Sequence, residues 1–524
     1  MTPTRGAIAA GDAATADAAA EMLRDGGNAF DAALAALCAA PVAEPVLASL
    51  AGGGFLLAEP ADGPPVLYDF FCQTPKRVRP AGETDFYPVD VDFGTTTQEF
   101  HIGMGAMATP GVVAGLFAVH HDLGSLPMAR IVEPAVQLAR RGAELSAVQA
   151  HILDIVQPIY LATVSATALF ESAAEPGRVL RVGETYRPGA MADTLEALAR
   201  EGRDLFYRGA IASEFVEACA ASGGMLTRAD LQGYKVVRRR PLDGRFGGAR
   251  VLTNPPPSSG GPLIAFALAL LDGLDGGTAR DDPAWLTQLA DAMAATNAAR
   301  TGCGLDEGCD EALVATLLSD PVVAQYRDSM RGRAQKQGGT THVSVIDAAG
   351  NAAAMSVSNG EGCGHVLRGC GVMPNNMLGE EDINPSGFHE WRPDSRISSM
   401  MAPTLVDHAD GRRTVLGSGG SNRIRTAILQ VLMNVLRFGM TLPDAIAAPR
   451  IHYERGLLSV EAVGAAGGFA PDRIARFAES LPNKELWDHF SMFYGGVHAV
   501  ALDSATGAFD GAGDSRRGGV YLTV

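Results

Sequence analysis

Several things are scarce in this chain of 524 residues, and each absence excludes something. Aromatic side chains make up only 6% of it, so alanine must carry much of the packing and close helix contacts are expected. A dense apolar run such as Pro262–Leu271 falls far short of the roughly 20 residues that cross a bilayer, so no membrane partner is expected. Basic residues are outnumbered: 42 Lys and Arg against 59 Asp and Glu leave a formal charge of -17. That balance excludes the clustered cationic surface which nucleic acid requires. The seven cysteines are odd in number and show no CxxC pair. Cys303 with Cys309, or Cys363 with Cys370, could form a local bridge, but free thiols in a reducing compartment are the simpler expectation. Met1 to Asp12 lacks a basic stretch followed by an apolar core, which points to the cytoplasm rather than to secretion. His101, His120, His121 and His498 show no HExxH-like spacing, and Gly417 to Asn422 has no GKS or GKT ending. No metal, cofactor or phosphate loop is therefore expected.

What is present is the composition of a folded protein, 47% hydrophobic with 62 glycines and 30 prolines. Length alone would allow three or four domains, though one large α/β sandwich can absorb as much chain. Alanine-rich helices are expected over 12–23 and 29–39, the second capped by Asn28. Further helices are expected at 111–120, 128–140, 191–201, 211–221, 263–271, 285–297, 311–318, 423–438 and 442–448. Strands are expected at 51–57, 66–71, 341–346, 352–357, 401–406, 413–417, 495–503 and 519–524. From 324 to 339 the chain turns polar and basic, as an exposed, cleavable segment would.

That segment ends in Gln337-Gly338-Gly339-Thr340-Thr341-His342, just where strand alternation begins. A threonine there gains chemistry only if the chain is cut before it. Thr340 would then carry a nucleophilic hydroxyl and an α-amine of pKa about 8, able to act as base. Gly338 and Gly339 permit the close approach that would let the Thr340 hydroxyl attack the Gly339 carbonyl. Gly52-Gly53-Gly54 and Gly417-Ser418-Gly419-Gly420-Ser421-Asn422-Arg423 are glycine turns of the kind that form anion nests or oxyanion holes.

Eight motifs in order extend this reading. They are Asp25–Ala33, Gly52-Gly53-Gly54-Phe55, Thr109-Pro110-Gly111, Pro256–Gly261, Gly339-Thr340-Thr341-His342, Ser398-Ser399-Met400 with Pro403-Thr404, Gly417–Arg423, and Ala448-Pro449-Arg450. Over nearly its whole length the chain resembles the γ-glutamyltranspeptidases (glutathione hydrolases), N-terminal-nucleophile hydrolases that cut themselves in two. The resemblance implies an α+β fold, a four-layer αββα sandwich formed by both halves of a self-cleaved precursor. The halves would be a large subunit 1–339 and a small subunit 340–524, cut between Gly339 and Thr340, with a homodimer of such heterodimers as a further expectation. It implies cleavage of γ-glutamyl amides such as glutathione through a threonyl acyl-enzyme, with water or an amine as acceptor. Ser358 matches the family's supporting hydroxyl, a threonine there, and Gly419 and Gly420 match its oxyanion donors.

Substrate recognition departs from the pattern. The family's D-F-R-E-x-x-P stretch reads Asp69-Phe70-Phe71-Cys72-Gln73-Thr74-Pro75, so Phe71 stands where an arginine would hold the α-carboxylate. Gly379 or Glu380, depending on register, falls where an acid would hold the α-amine. Gly360, with Asn359 beside it, replaces an asparagine. Ser398 and Ser399, which in the family touch the α-carboxylate, are retained. A lost charged contact costs about 2–5 kcal/mol. Two alternatives follow: a cephalosporin-acylase-like amidase acting on a non-γ-glutamyl group, or a non-catalytic processed scaffold. Arg392, Arg396 or Arg423 could replace the missing arginine from elsewhere. His342 is expected to be structural, since the α-amine makes a second base unnecessary, and Arg423 to tie its own turn. Cys72 is not expected to be catalytic. Asp31 and Asp514 are expected to be turn or surface residues.

Overall fold

The computed structural model describes residues 4–92, 97–274, 277, 279–328, 340–384, 386–454, 456–463, 469–479 and 483–524. Gly338, Gly339 and the end of the polar segment lie outside the described residues.

Two antiparallel sheets form the centre. The seven-stranded sheet runs in the order Val520–Thr523, Gly6–Ala10, Thr341–Asp347, Ala352–Ser358, Gly53–Glu59, Val66–Phe70, Val237–Arg239. The six-stranded sheet runs Ala508–Ala512, Gly496–Asp503, Arg412–Gly419, Thr404–Asp407, Ala249–Thr253, Leu242–Phe246. Strand alternation assigns the faces. Val343, Val345, Ala353, Met355 and Val357 face a core shared with the helices Ala13–Arg24, Ala29–Ala43, Val112–Leu123, Met128–Arg141 and Gly189–Glu201. Ile346, Ala352 and Ala354 face the other way, into a core shared with the second sheet and with the helices Gly260–Leu271, Pro283–Gly302, Arg423–Leu436 and Leu442–Ala447. The layers are helix, sheet, sheet, helix, the expected αββα sandwich.

The alanine-rich helices fulfil the packing expectation. Ala29–Ala43 is buried along its whole length, and Asn28 caps it in a capping box with Asp31. Asp31 is itself buried and accepts from Ser125 N and Leu126 N, so it is an internal brace rather than a turn or surface residue. All seven cysteines are free thiols.

Several parts of the fold have no counterpart in the sequence reading. Gly6–Ala10, a fully buried strand of glycine, isoleucine and alanine, pairs with Thr341–Asp347. The edge strand Val237–Arg239, the hairpin of Leu242–Phe246 with Ala249–Thr253, and the small sheet of Ile451–Glu454, Leu457–Glu461 and Lys484–Trp487 are likewise additional. A third core under Ala147–Ile155, Gln157–Tyr160 and Val164–Phe170 packs beside the hairpin Tyr87–Asp92 and Thr97–Ile102.

Candidate active site

Thr340 immediately precedes the strand Thr341–Asp347 and is 5% exposed. The hairpin register pairs Thr341 with Val357, which sets Thr340 against Ser358, the last residue of the neighbouring strand. Both line a pocket of about 380 Å³ together with Phe71, Glu380, Asp382 and Ser399; Met377, Ile383, Met400, Met401, Ser421 and Ile424 complete its walls. Ser358 Oγ accepts from Gly360 N at 3.0 Å, which orients the hydroxyl.

The glycine pair Gly419-Gly420 closes the site from the second sheet. A Cβ at Gly419 would lie 2.0 Å from the carbonyl oxygen of Thr340, so only glycine fits there. Gly420 has φ +120, also a glycine conformation, and Ser421 follows at φ +49. Gly52, Gly53 and Gly54 have a different role. Cβ atoms there would strike Ser358 O, Cys72 N and Ser356 O within 2.4–2.7 Å, so these glycines serve close strand packing behind Ser358.

The remaining motifs hold the walls. Ser258 Oγ donates to Ser399 O at 2.7 Å, Ser259 N donates to the same oxygen, and Asn254 Nδ2 donates to Met401 O. The Pro256–Gly261 turn thereby fixes the Ser399–Met401 wall. Asn375 ties Ala51 and Ala108 together by donating to both carbonyls.

Phe71 is buried and stacks on Phe55 with ring centroids 5.3 Å apart. Among the described residues no arginine or lysine lines the pocket. Arg396 is committed elsewhere: it donates to the carbonyls of Phe71 and Lys235 and to Tyr234 Oη, lies over the Tyr234 ring, and pairs with Asp69 at 3.5 Å. Arg423 is buried over the Phe493 ring and donates to Phe493 O. Burial holds its guanidinium down to about 10, against the pull of Glu454 and Asp382. Arg392 is exposed on the surface.

Two carboxyls stand in the pocket. Burial pushes Glu380 well above the usual carboxylate range, reinforced by Glu361 and Asp382, and its Oε1 has no hydrogen-bond partner among the described residues. Burial also raises Asp382, which accepts from Ser421 Oγ at 2.6 Å. Gly360, at φ +64, is where the family pattern has asparagine; a Cβ there would come within 2.2 Å of both Glu380 Oε1 and Asn376 Oδ1. Glu380 thus takes up space beside Gly360, and the two departures fit each other.

Phe71, Thr340, Ser358, Glu380 and Ser399 are therefore brought together, with Gly419 and Gly420 adjoining. Asn359, buried, and Ser398, half-buried, are not among the lining residues. Asp382 and Ser421 were missed, although each sits within two residues of a position singled out. His342 bonds Ser356 Oγ at 2.8 Å and Ser344 Oγ at 2.9 Å, so both ring nitrogens are engaged between the sheets. Cys72 is buried, and burial raises its thiol far above the ordinary range.

With this geometry in place, comparison with known proteins is decisive: the profile described as Gamma-glutamyltranspeptidase matches residues 15–524. The chain belongs to the γ-glutamyltranspeptidase family. It is 29% identical to the Acylase ACY 1 proenzyme of Pseudomonas sp. (strain V22), across 100% of this chain and 94% of that protein. It is also 29% identical to the Glutathione hydrolase proenzyme of Escherichia coli (strain K12), across 90% of this chain and 84% of that protein. Cephalosporin acylase from Bacillus halodurans shares the fold with a TM-score of 0.84 at 23% identity, over 99% of this chain and 96% of that one. The protein is an enzyme of the N-terminal-nucleophile class, an amide hydrolase and acyltransferase of the γ-glutamyltranspeptidase type. No helix among the described residues is long and apolar enough to cross a membrane.

Proposed function

We propose that the chain cuts itself between Gly339 and Thr340 and then cleaves amides through a threonyl acyl-enzyme, preferring acyl groups that lack a free α-carboxylate. The single observation that carries the preference is the pocket wall, which places Phe71 beside two carboxyls and, among the described residues, no cation.

In this reading the α-amine of Thr340 takes the proton from Thr340 Oγ as the oxygen attacks the amide carbonyl. The amides of Gly419 and Gly420 receive the negative charge that develops on the carbonyl oxygen. The proton passes to the leaving amine, the acyl group stays on Oγ as an ester, and water or a second amine releases it. Ser358 hydrogen-bonds the nucleophile from across the hairpin. Glu380 and Ser399 meet polar groups on the acyl chain, while Phe71 covers its apolar part. The processed enzyme consists of subunits 1–339 and 340–524, and two such heterodimers form the expected assembly.

γ-Glutamyl amides, glutathione included, remain substrates in this reading, as the relative named glutathione hydrolase suggests. They are the weaker ones, because the missing guanidinium forfeits about 2–5 kcal/mol of charged contact. The relative named acylase supports the preferred class. The test is a panel of p-nitroanilides that dissects the γ-glutamyl group: γ-glutamyl, glutaryl (carboxylate without amine), 4-aminobutyryl (amine without carboxylate) and butyryl (neither). A kcat/KM for 4-aminobutyryl or butyryl at least tenfold above γ-glutamyl is expected. A γ-glutamyl value equal to or above both would contradict the preference.

A further inference from the structure

Three glycines, Gly419, Gly420 and Gly496, border one arginine side chain behind the pocket. Gly419 pairs with Gly496 across the second sheet, next to Gly420 and Gly495. A Cβ at Gly496 would stand 2.6 Å from Arg517 Cδ, and one at Gly420 would stand 3.3 Å from Arg517 Nη2. The point a Gly419 Cβ would occupy is 2.0 Å from Thr340 O and 3.5 Å from Arg517 Nη1. The guanidinium and the Thr340 carbonyl oxygen therefore both border Gly419.

Arg517 is 8% exposed and weakly anchored: Nη2 donates to Met492 O at 3.3 Å, while Nε and Nη1 have no hydrogen-bond partner among the described residues. Burial lowers it to about 10, and among the carboxylates that oppose this Glu361 is foremost, followed by Asp514 and Glu44. Asp514 is already paired with Arg450 at 2.6 Å and with Arg516 at 3.2 Å. A buried cation held by so few bonds acts chiefly through its field.

We propose that Arg517 is a positioning residue for the general base: its charge keeps the freed α-amine of Thr340 unprotonated at neutral pH, and Glu361 limits the effect. This assignment rests on Thr340 being released by cleavage. Several elements around Thr340 carry charged or titratable groups. Glu44, at the end of the helix Ala29–Ala43, accepts from the neighbouring Thr341 hydroxyl. Glu361 follows the strand Ala352–Ser358, Glu380 and Asp382 come from the pocket wall, and Arg423 opens its helix. His342 on the same chain segment and His498 on the strand Gly496–Asp503 are both lowered by burial and stay neutral. An ammonium at Thr340 is repelled by Arg517 and Arg423 and favoured by Glu361, Asp382 and Glu44. Neutralising Arg517 must raise the pH at which the amine becomes a base, and neutralising Glu361 must lower it.

The experiment is the pH profile of kcat/KM with butyryl-p-nitroanilide or γ-glutamyl-p-nitroanilide, whichever the wild type cleaves faster. Wild type, Arg517→Met, Arg517→Lys and Glu361→Gln are compared after each is checked by mass for cleavage before Thr340. The acid limb is expected to rise by about one pH unit in Arg517→Met, to fall in Glu361→Gln, and to stay near wild type in Arg517→Lys. Coincident acid limbs in processed wild type and variants overturn the assignment, whatever happens to the amplitude. Should Arg517→Met remain uncut, Glu361→Gln decides: a limb that does not fall overturns it. A wild type that is never cut contradicts the nucleophile reading instead, a failure visible by mass before any profile is measured.

Discussion

Thr340 stands opposite Ser358 because the hairpin pairs Thr341 with Val357, one step further in. The two hydroxyl-bearing residues therefore come from adjacent strands and meet on the pocket side of the sheet. Ser358→Ala removes the hydroxyl that faces the nucleophile while leaving the strand intact. Its kcat should fall about 10–100-fold, the worth of one hydrogen bond to a charged or reacting group, with slower processing. A kcat within twofold of wild type, measured on fully processed protein, would remove Ser358 from the mechanism.

Phe71 governs the acyl group in this account. Phe71→Arg should shift the ratio of kcat/KM for γ-glutamyl- over butyryl-p-nitroanilide upward by roughly ten- to a hundredfold, equivalent to about 1.4–2.8 kcal/mol. The ratio is the useful quantity, because a general loss of activity in this buried position cancels from it. An unchanged ratio in folded, processed enzyme would show that position 71 does not select the substrate.

Glu44 gives stability a distinctive pH dependence. Burial, with help from Asp12, raises it to about 7 despite bonds from Thr341 Oγ at 2.6 Å and Thr15 Oγ at 2.9 Å. A carboxyl whose folded value lies above its unfolded value contributes stability fully below the unfolded value of about 4.3 and loses it as pH rises through the folded one. Glu44→Gln stays neutral, so relative to wild type it should gain on the order of 1–3 kcal/mol between pH 5 and pH 8. Denaturant unfolding at the two pH values measures this; parallel curves at both would refute it.

Asp514 has the opposite sign. Burial pushes it up, but Arg450 and Arg516 outweigh burial and bring it down to about 2. Its stabilisation is present above the unfolded value and is lost as pH falls toward 2. Asp514→Ala leaves two buried guanidinium groups without this partner and should destabilise the fold by about 3–5 kcal/mol at pH 7. Thermal unfolding would show it as a large drop in Tm, and an unchanged Tm would mean the cluster is not needed for the fold.

Much of this architecture was legible in the chain. Periodicity marked the hairpin 341–357 and the helices of both outer layers, and the glycine of Thr109-Pro110-Gly111 proved necessary because its Cβ would strike Phe70 O at 2.0 Å. The strand Gly6–Ala10 was not legible, since alanine and glycine carry little β-propensity and only burial between two partners makes it a strand. Asp514 resembled a turn residue in its glycine-rich setting, yet Arg450 and Arg516 reach it in the fold. Arg517 and Glu44 gave no local signal, because only the folded packing of distant segments brings Arg517 to Gly419 beside Thr340 and the end of the helix Ala29–Ala43 to Thr341. At Phe71 the departure from the family pattern was visible in sequence. What the fold adds is that Arg396, which reaches the Phe71 carbonyl, is already bound to Tyr234 and Asp69.

The central claim is that Thr340 is both the cleavage point and the nucleophile. Intact-mass analysis of purified wild type and Thr340→Ala, paired with anilide turnover, tests it most directly. The account predicts that wild type separates into chains of 339 and 185 residues, the shorter beginning at Thr340. It predicts that Thr340→Ala stays a single inactive chain. Cleavage of Thr340→Ala at the same bond, or turnover by an uncut wild type, would contradict it.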